Sequence, residues 1–508
     1  MVEGRMNAVR FGNPVDKGLL LKNGRLIDIA QGLDGVTDLA IEGGRISSIK
    51  ENLEAAPDQM MLDLTGKIVC PGFIDIHVHA YGGIAFADPD SIGVNLGTTR
   101  MVDAGGAGAY TWDEFAALIL GQTKTDIHLW LLMRAAGIYG FQDTWASARS
   151  LIDIPISRML DIVEENRDHI VGIKMAEFAA LGLGPMKIAK GVANVLELPL
   201  YLHIGDLFEK PAKTYTAPAL DLLEPGDYVA HCYTPCPGNL IGDDGRALPE
   251  AIAARDRGVF FDLAFGGFNF SFDVADRLMD QGIVPSTISS DLQQINVTGP
   301  VYSLMHVMSV MMAMGMSFED VLQRVTTNPA RQLGLMEKAG SLSPGMPADV
   351  TVVDIQDGDF TFADTTGKTR PGSKLIIPVV TIKAGEVIYP NREIAEAESN
   401  WSIESSMAYD GPPPQTHNLE PEQRQFIARL AEAFSRESWD GVSLHESFHR
   451  TRRDSGIDLR RGAEAVLNSL MTSRFTPPIG FFLATQDRDF VIERLAQVGL
   501  TSEVVAHK

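Results

Sequence analysis

The chain has 508 residues, 45% of them hydrophobic, and a formal charge of −23 at pH 7. That length suggests two or three folded units with ample core, and the negative balance argues against a nucleic-acid surface or an anionic membrane as partner. An anionic substrate is not excluded, because bound cations can outweigh the global field locally.

Residues 1–14 carry Glu3 and no apolar core, which does not read as a signal peptide. No apolar run reaches the length of a membrane span. From there to residue 70, "GLLLKNGRLID", "DLAIEGGRISSIK" and "MMLDLTGKIVCPG" read as strands joined at Asn-Gly, Gly-Gly and Thr-Gly. "GSLSPGMPADVTVVDI" and "KLIIPVVTIKAGEVIYP" have the same texture much later. Residues 1–70 and 338–398 are therefore expected to build one β-sandwich from both ends of the core. Between them, residues 71–337 carry eight short apolar runs: "GFIDIHVHA", "TTRMVDAG", "IHLWLLMRA", "IVGIKMA", "LPLYLHIGD", "DYVAHCY", "GVFFDLAFG" and "TISSDLQ". Helical patterns such as "ISRMLDIVEEN" and "GPMKIAKGVANVLEL" lie between most of them, which implies parallel βα units. Eight units fit a closed (β/α)₈ barrel of roughly 250 residues. Residues 399–508 begin with a linker, "DGPPPQTHNLEPEQ", and continue as a mostly helical accessory module. A packed module used in assembly fits this composition, in keeping with an expected homo-oligomer.

Residues at the C-terminal ends of barrel strands face the active site. The first run ends in His77-Val78-His79, and period-two alternation puts both imidazoles on one side. The fourth carries Lys174, the fifth His203, the sixth His231 and the eighth Asp291. Taken singly, each has an ordinary reading: core histidines, a helix-capping Asp291, a Lys174 paired with Glu177. Taken together, four of the eleven histidines end proposed strands beside a lysine and an aspartate. Such nitrogen and oxygen donors without thiolate suit Zn²⁺, Mn²⁺ or Co²⁺. Six groups exceed the needs of one tetrahedral ion, which points to two. A metal pair would lower the pKa of a shared water from 15.7 toward about 7. Asp291 would ligate one ion, accept the water's proton and pass it to the leaving group.

Lys174 needs a further argument. An ordinary lysine, near pKa 10.4, is cationic and would be repelled by two dications. Carbon dioxide adds to the neutral amine to give a carbamate, an anion whose two oxygens can reach both ions; burial favours the neutral amine this requires. Arg134 ends the third run, in "LWLLMRAAG", where a planar guanidinium suits a substrate carboxylate or a structural ion pair. Cys70, Cys232 and Cys236 form no disulfide framework and imply a reducing compartment, so a soluble cytoplasmic protein is expected. The C-x₃-C pair reads as buried thiols. His445 and His449 have i, i+4 spacing but no third ligand in view, and no role follows.

"CPGFIDIHVH" resembles the first-strand signature of the amidohydrolase superfamily. "VGIK", "YLHIGD", "VAHCY" and "TISSDL" resemble its fourth, fifth, sixth and eighth strand motifs. "GDDGRALPEAIAARDRGVFFDLAFG" and "SSDLQQINVTGPVYSL" are similar to the dihydroorotase-like branch, which includes acetyl-mandelate-type esterases. The resemblance spans roughly residues 15–395 and leaves the C-terminal extension unrecognised. It implies a carboxylated Lys174 bridging two metals held by His77, His79, His203, His231 and Asp291. Glu177 departs from the small or basic residue expected there. The expected activity is hydrolysis of an amide or ester in a small molecule. Cyclic-amide opening, deamination and a non-enzymatic scaffold are the alternatives; Lys174 argues against deamination and the complete ligand set against the scaffold.

Overall fold

The computed structural model describes residues 18–57, 59–81, 88–138, 154–176, 182–205, 212–293, 296–297, 299–390, 419–439, 441–470 and 488–500. The strands predicted near both ends of the core pair with one another in a single mixed sheet. Its N-terminal strands are β1 (Leu19–Asp28), β2 (Leu33–Glu42), β3 (Arg45–Lys50), β4 (Met60–Asp63) and β5 (Ile68–Pro71). The β2–β3 hairpin closes at Gly43-Gly44, where φ is 56° and 74°, the left-handed geometry that a two-residue hairpin turn demands and glycine supplies.

Seven parallel strands follow: β6 (Phe73–Val78), β7 (Thr98–Asp103), β8 (Asp126–Leu132), β9 (Ile170–Met175), β10 (Leu200–His203), β11 (Tyr228–Ala230) and β12 (Phe260–Phe261), hydrogen-bonded in chain order. Strands β6, β7 and β9 are buried along their whole length, as expected where helices cover one face and the barrel interior the other. The eighth predicted strand is irregular. Residues around Thr287–Leu292 close the barrel through isolated parallel bridges, Asp262 to Thr287 on one side and Val78 to Leu292 on the other. The Leu263, Phe265 and Gly266 amides donate to the Thr287, Ser289 and Ser290 carbonyls, and the Asp291 amide donates to His77 O at 2.7 Å. The fold is a (β/α)₈ barrel with a flanking β-structure.

The chain returns to that structure in β13 (Val350–Ala363), β14 (Thr369–Lys383) and β15 (Glu386–Ile388). The strand order is β15-β14-β13-β5-β1-β2-β3, with β4 beside β1. Strand β13 pairs antiparallel with β5, joining segments some 280 residues apart in sequence. Inward residues from both ends, including Leu19, Ile41, Val69, Val350 and Val380, form one apolar cluster. Bulges in β1, β3, β13 and β14 interrupt the ladder beside it.

The C-terminal module contributes helices Pro421–Phe434, Gly441–Ser455, Leu459–Leu470 and Arg488–Leu500. The first begins with a complete capping box between Glu420 and Gln423. Phe426, Leu444 and Phe448 of this module join the same buried cluster as Trp112, Phe115 and Leu118 of the barrel. Residues 410–418 of the predicted linker and the short strand "IGFFLAT" fall outside the described residues, whereas the linker's last residues, Glu420 to Gln423, cap and begin helix Pro421–Phe434. Among those described, no helix is long and apolar enough to cross a membrane.

Candidate metal centre

The strand ends bring the predicted residues together. His77 lies inside β6 and His79 one residue past its end; both Nε2 atoms face Asp291 Oδ1, at 3.6 and 3.1 Å. Nitrogen donors of His77 and His231 and a carboxylate oxygen of Asp291 all lie within 4.8 Å of one another. The His203 and His231 rings pack edge to face at 4.4 Å, and His231 lies 5.0 Å from His77. Lys174 is buried in β9 with Nζ 4.2 Å from the centroid of the Tyr201 ring.

The backbone aims these groups. His231 and Asp291 have φ of 62° and 51°, a left-handed geometry uncommon outside glycine but tolerated by His and Asp. Holding such residues costs about 1–3 kcal/mol each, and such strain clusters at functional sites. Asp291 is not a helix cap. Its carbonyl accepts from Asn296 Nδ2 at 2.8 Å and its Oδ1 from Gln293 Nε2 at 3.0 Å. Gly266 gives the carboxylate room: a Cβ there would lie 2.4 Å from Asp291 Oδ2.

Three histidines commit one ring nitrogen to the protein and present the other. His77 Nδ1 is 2.7 Å from the Tyr201 hydroxyl, His231 Nδ1 is 2.7 Å from Ala264 O, and His203 Nε2 is 3.0 Å from Gly205 O. Metal-ligating histidines are commonly oriented in this way. Burial, and secondarily the charge of an unmodified Lys174, holds the His77 imidazole well below its ordinary range and pushes that of His203 down to about 3. Burial, followed by His203 and Lys174, does the same to His231. Neutral imidazole is the form that binds metal. The buried His79 Nδ1 has no hydrogen-bond partner among the described atoms. The donor set and its orientation fit a divalent-metal centre.

Sequence reasoning missed the shell behind these residues. The Tyr201 hydroxyl donates to Asp262 Oδ2 at 2.6 Å, and Asp262 also accepts from Thr287 and Ser289. With that proton committed to Asp262, the Tyr201 oxygen accepts from His77 Nδ1–H, which leaves Nε2 as the basic nitrogen. Asp75 accepts from the Ser290 hydroxyl and amide, tying β6 to the segment that carries Asp291. Burial raises the Asp262 carboxyl to about 6 and that of Asp75 to about 7, against the pull of these donors. The available signal was alternation: Asp75 and Tyr201 each stand two residues before a predicted ligand.

Arg134 lies two residues beyond the end of β8 and is half-buried. The amide just before it, that of Met133, donates to Lys174 O at 3.1 Å, which places Arg134 beside the lysine-bearing strand. Glu177, the alternative partner for Lys174, lies outside the described residues, as does the His445 side chain. Cys232 and Cys236 are buried free thiols. A cleft of about 570 Å³ between the sheet and the barrel helices, lined by Arg25, Met312, Met316, Phe318, Glu319 and Lys374, shares no residue with the histidine cluster.

Strand-end histidines and an aspartate converging inside a parallel barrel define a metal-dependent hydrolase class, and comparison with known proteins agrees. Residues 269–389 match the Amidohydrolase family. A deacetylase of Agrobacterium fabrum is 31% identical over 392 residues, which cover 76% of this chain and 95% of that protein. The solved structure of a dihydroorotase superposes with a TM-score of 0.66 at 30% identity, covering 74% of this chain and 99% of that one. That of an adenine deaminase gives 0.66 at 29%, covering 74% and 100%. The chain belongs to the amidohydrolase superfamily and is a hydrolase acting on C–N bonds of the amide type.

Proposed function

We propose that the protein hydrolyses an acyl amide or ester of a small molecule at a two-metal centre. The carrying observation is the convergence of His77, His231 and Asp291 donor atoms within 4.8 Å at the strand ends. His77, His79, His203, His231 and Asp291 would hold two divalent ions, with Lys174, carboxylated, between them. The nitrogen and oxygen donor set suits Zn²⁺ first, with Mn²⁺ and Co²⁺ also compatible. When bound, such ions supply Lewis acidity that acidifies the attacking water and polarises the scissile carbonyl.

The chain's own residues do the rest. Asp291 takes the proton of the attacking water and delivers it to the leaving nitrogen or oxygen as the acyl bond breaks, so one water is consumed and the proton balance closes. Gln293 holds that carboxylate, and Asn296 holds the main-chain carbonyl of the same residue. Arg134 offers a planar fork to a substrate carboxylate. Residues 71–337 form the catalytic unit, 1–70 with 338–398 the flanking sandwich, and 399–508 the accessory module. The protein works in the cytoplasm as a homo-oligomer, on a small-molecule substrate, without nucleic-acid or membrane partners.

The similarity to a deacetylase over 95% of that protein supports acyl cleavage. Cyclic-amide opening is the second reading, favoured by the similarity to a dihydroorotase structure. Metal analysis of the purified protein, with a panel of N-acyl amino acids, acyl esters, hydantoins and dihydropyrimidines, separates the two. Metal-dependent release of acetate supports the first; turnover confined to the cyclic compounds replaces it with the second. Absence of bound metal together with no turnover refutes both.

A further inference from the structure

Glu114 sits on the barrel helix Trp112–Leu118 and is fully buried. A carboxylate in that position is costly unless polar groups meet it. Its Oε2 accepts the Tyr81 hydroxyl at 3.2 Å. Its Oε1 lies 3.4 Å from Nε2 of His449, on helix Gly441–Ser455 of the C-terminal module. Tyr81 stands two residues after His79, and the chain between them has little freedom. The Ala80 and Tyr81 amides both donate to Asp103 Oδ2 at 2.8 Å. Gly106 packs so closely that a Cβ there would lie 1.6 Å from the Tyr81 carbonyl oxygen. The Tyr81 ring meets Phe115 edge-on at 5.2 Å.

We propose that His449 and Glu114 are positioning residues for the metal centre. The C-terminal module reaches through His449, Glu114 and Tyr81 to fix His79 against Asp291. Tyr81 is held by Asp103 at its main chain, by Phe115 at its ring and by Glu114 at its hydroxyl. Of these contacts, the Glu114 carboxylate is a polar one that the module meets, through His449. The shared apolar cluster of Phe448, Leu444, Phe115 and Leu118 seats the module on this helix. The module is thereby a working part of the active site as well as a packing element. This inference rests on the proposed role of His79 as a metal ligand.

The test uses the full-length protein with the substitutions H449L, H449Q, Y81F and the double H449L/Y81F, each checked for native circular dichroism. Zn²⁺ affinity of the apoprotein is measured by competition with a chromophoric chelator, and kcat and KM on the member of the above panel that the wild-type protein turns over fastest. Loss of an outer-shell partner typically weakens metal binding 10–100-fold. At the low end of that range, H449L and Y81F each weaken Zn²⁺ binding about tenfold and lower kcat with KM unchanged. H449Q, which keeps a donor, recovers most of the loss. The double variant is little worse than either single one, because both break the same chain of contacts. Zn²⁺ affinity within twofold of wild type in folded H449L or Y81F overturns the proposal, as do effects that simply multiply in the double. Y81F removes one hydroxyl and no bulk, so it decides the matter should H449L fail to fold. A wild-type protein that binds no Zn²⁺ refutes the metal-centre reading itself, a different result from tight binding that His449 does not influence.

Discussion

Tyr201→Phe is the sharpest probe of how the metal centre is held. The ring keeps its stacking on Trp130, with centroids 4.6 Å apart, and its edge contact with His77 at 5.3 Å. Only the hydroxyl between His77 Nδ1 and Asp262 Oδ2 is lost, with its contacts of 2.7 and 2.6 Å. Asp262 retains Thr287 and Ser289 as donors, so the loss falls chiefly on His77. Leaving the buried His77 Nδ1–H without its acceptor costs about 1–3 kcal/mol. At about 1.36 kcal/mol per factor of ten, that is roughly a five- to hundredfold loss of metal affinity if the ligand bears it all. Titration of the apoprotein with Zn²⁺ against a competing chelator, at fixed pH and ionic strength, measures it. Affinity within twofold of wild type in a folded Y201F protein would show that the hydroxyl does not orient His77, and the relay would have to be abandoned.

Asp291→Asn keeps the shape of the site and removes the base, so kcat should fall about 10²–10⁴-fold with metal retained; near-normal turnover with metal bound rules out the assigned role. Lys174→Ala should bind one metal equivalent fewer, wild-type apoprotein should need bicarbonate for reconstitution, and short carboxylic acids should partly restore the variant. Full two-metal loading without carbon dioxide or bicarbonate counts against the carbamate. Arg134→Met should lower kcat/KM about tenfold or more for substrates bearing a carboxylate and leave neutral analogues unaffected, in line with the strength of a charge-assisted hydrogen bond; equal effects on both classes contradict carboxylate binding. Burial, and secondarily the Arg100 cation with Nη1 2.7 Å from Nε2, pushes the His128 imidazole from 6.5 down to about 3. The unfolded chain therefore takes up a proton that the folded one refuses, and this contribution to stability is complete above about pH 6.5 and lost as pH falls toward 3. His128→Gln should flatten the acid limb of the unfolding profile, and an unchanged pH slope would contradict the assignment.

The sequence by itself determined the barrel strands and the polar residues at their ends. A histidine, lysine or aspartate closing an apolar run is conspicuous, and the period of two assigns its face without reference to any other strand. His77, His79 and Lys174 were legible for that reason, and so was the β-rich texture shared by both ends of the core. The eighth strand was legible as "TISSDLQ", but its irregular backbone, with Asp291 in the left-handed region, was not, because closure against both neighbouring strands decides it. Only the tertiary structure decided the groups behind the ligands. Tyr201 meets His77 across 124 positions of sequence and Asp262 across 61, and Asp75 meets Ser290 across 215. Alternation along a strand says which face a side chain occupies; the partner on the opposing strand depends on the stagger of the closed barrel. The same holds for His449. Its i, i+4 spacing with His445 suggested nothing, and its place beside the buried Glu114 exists only because the C-terminal helices pack their apolar faces onto the barrel.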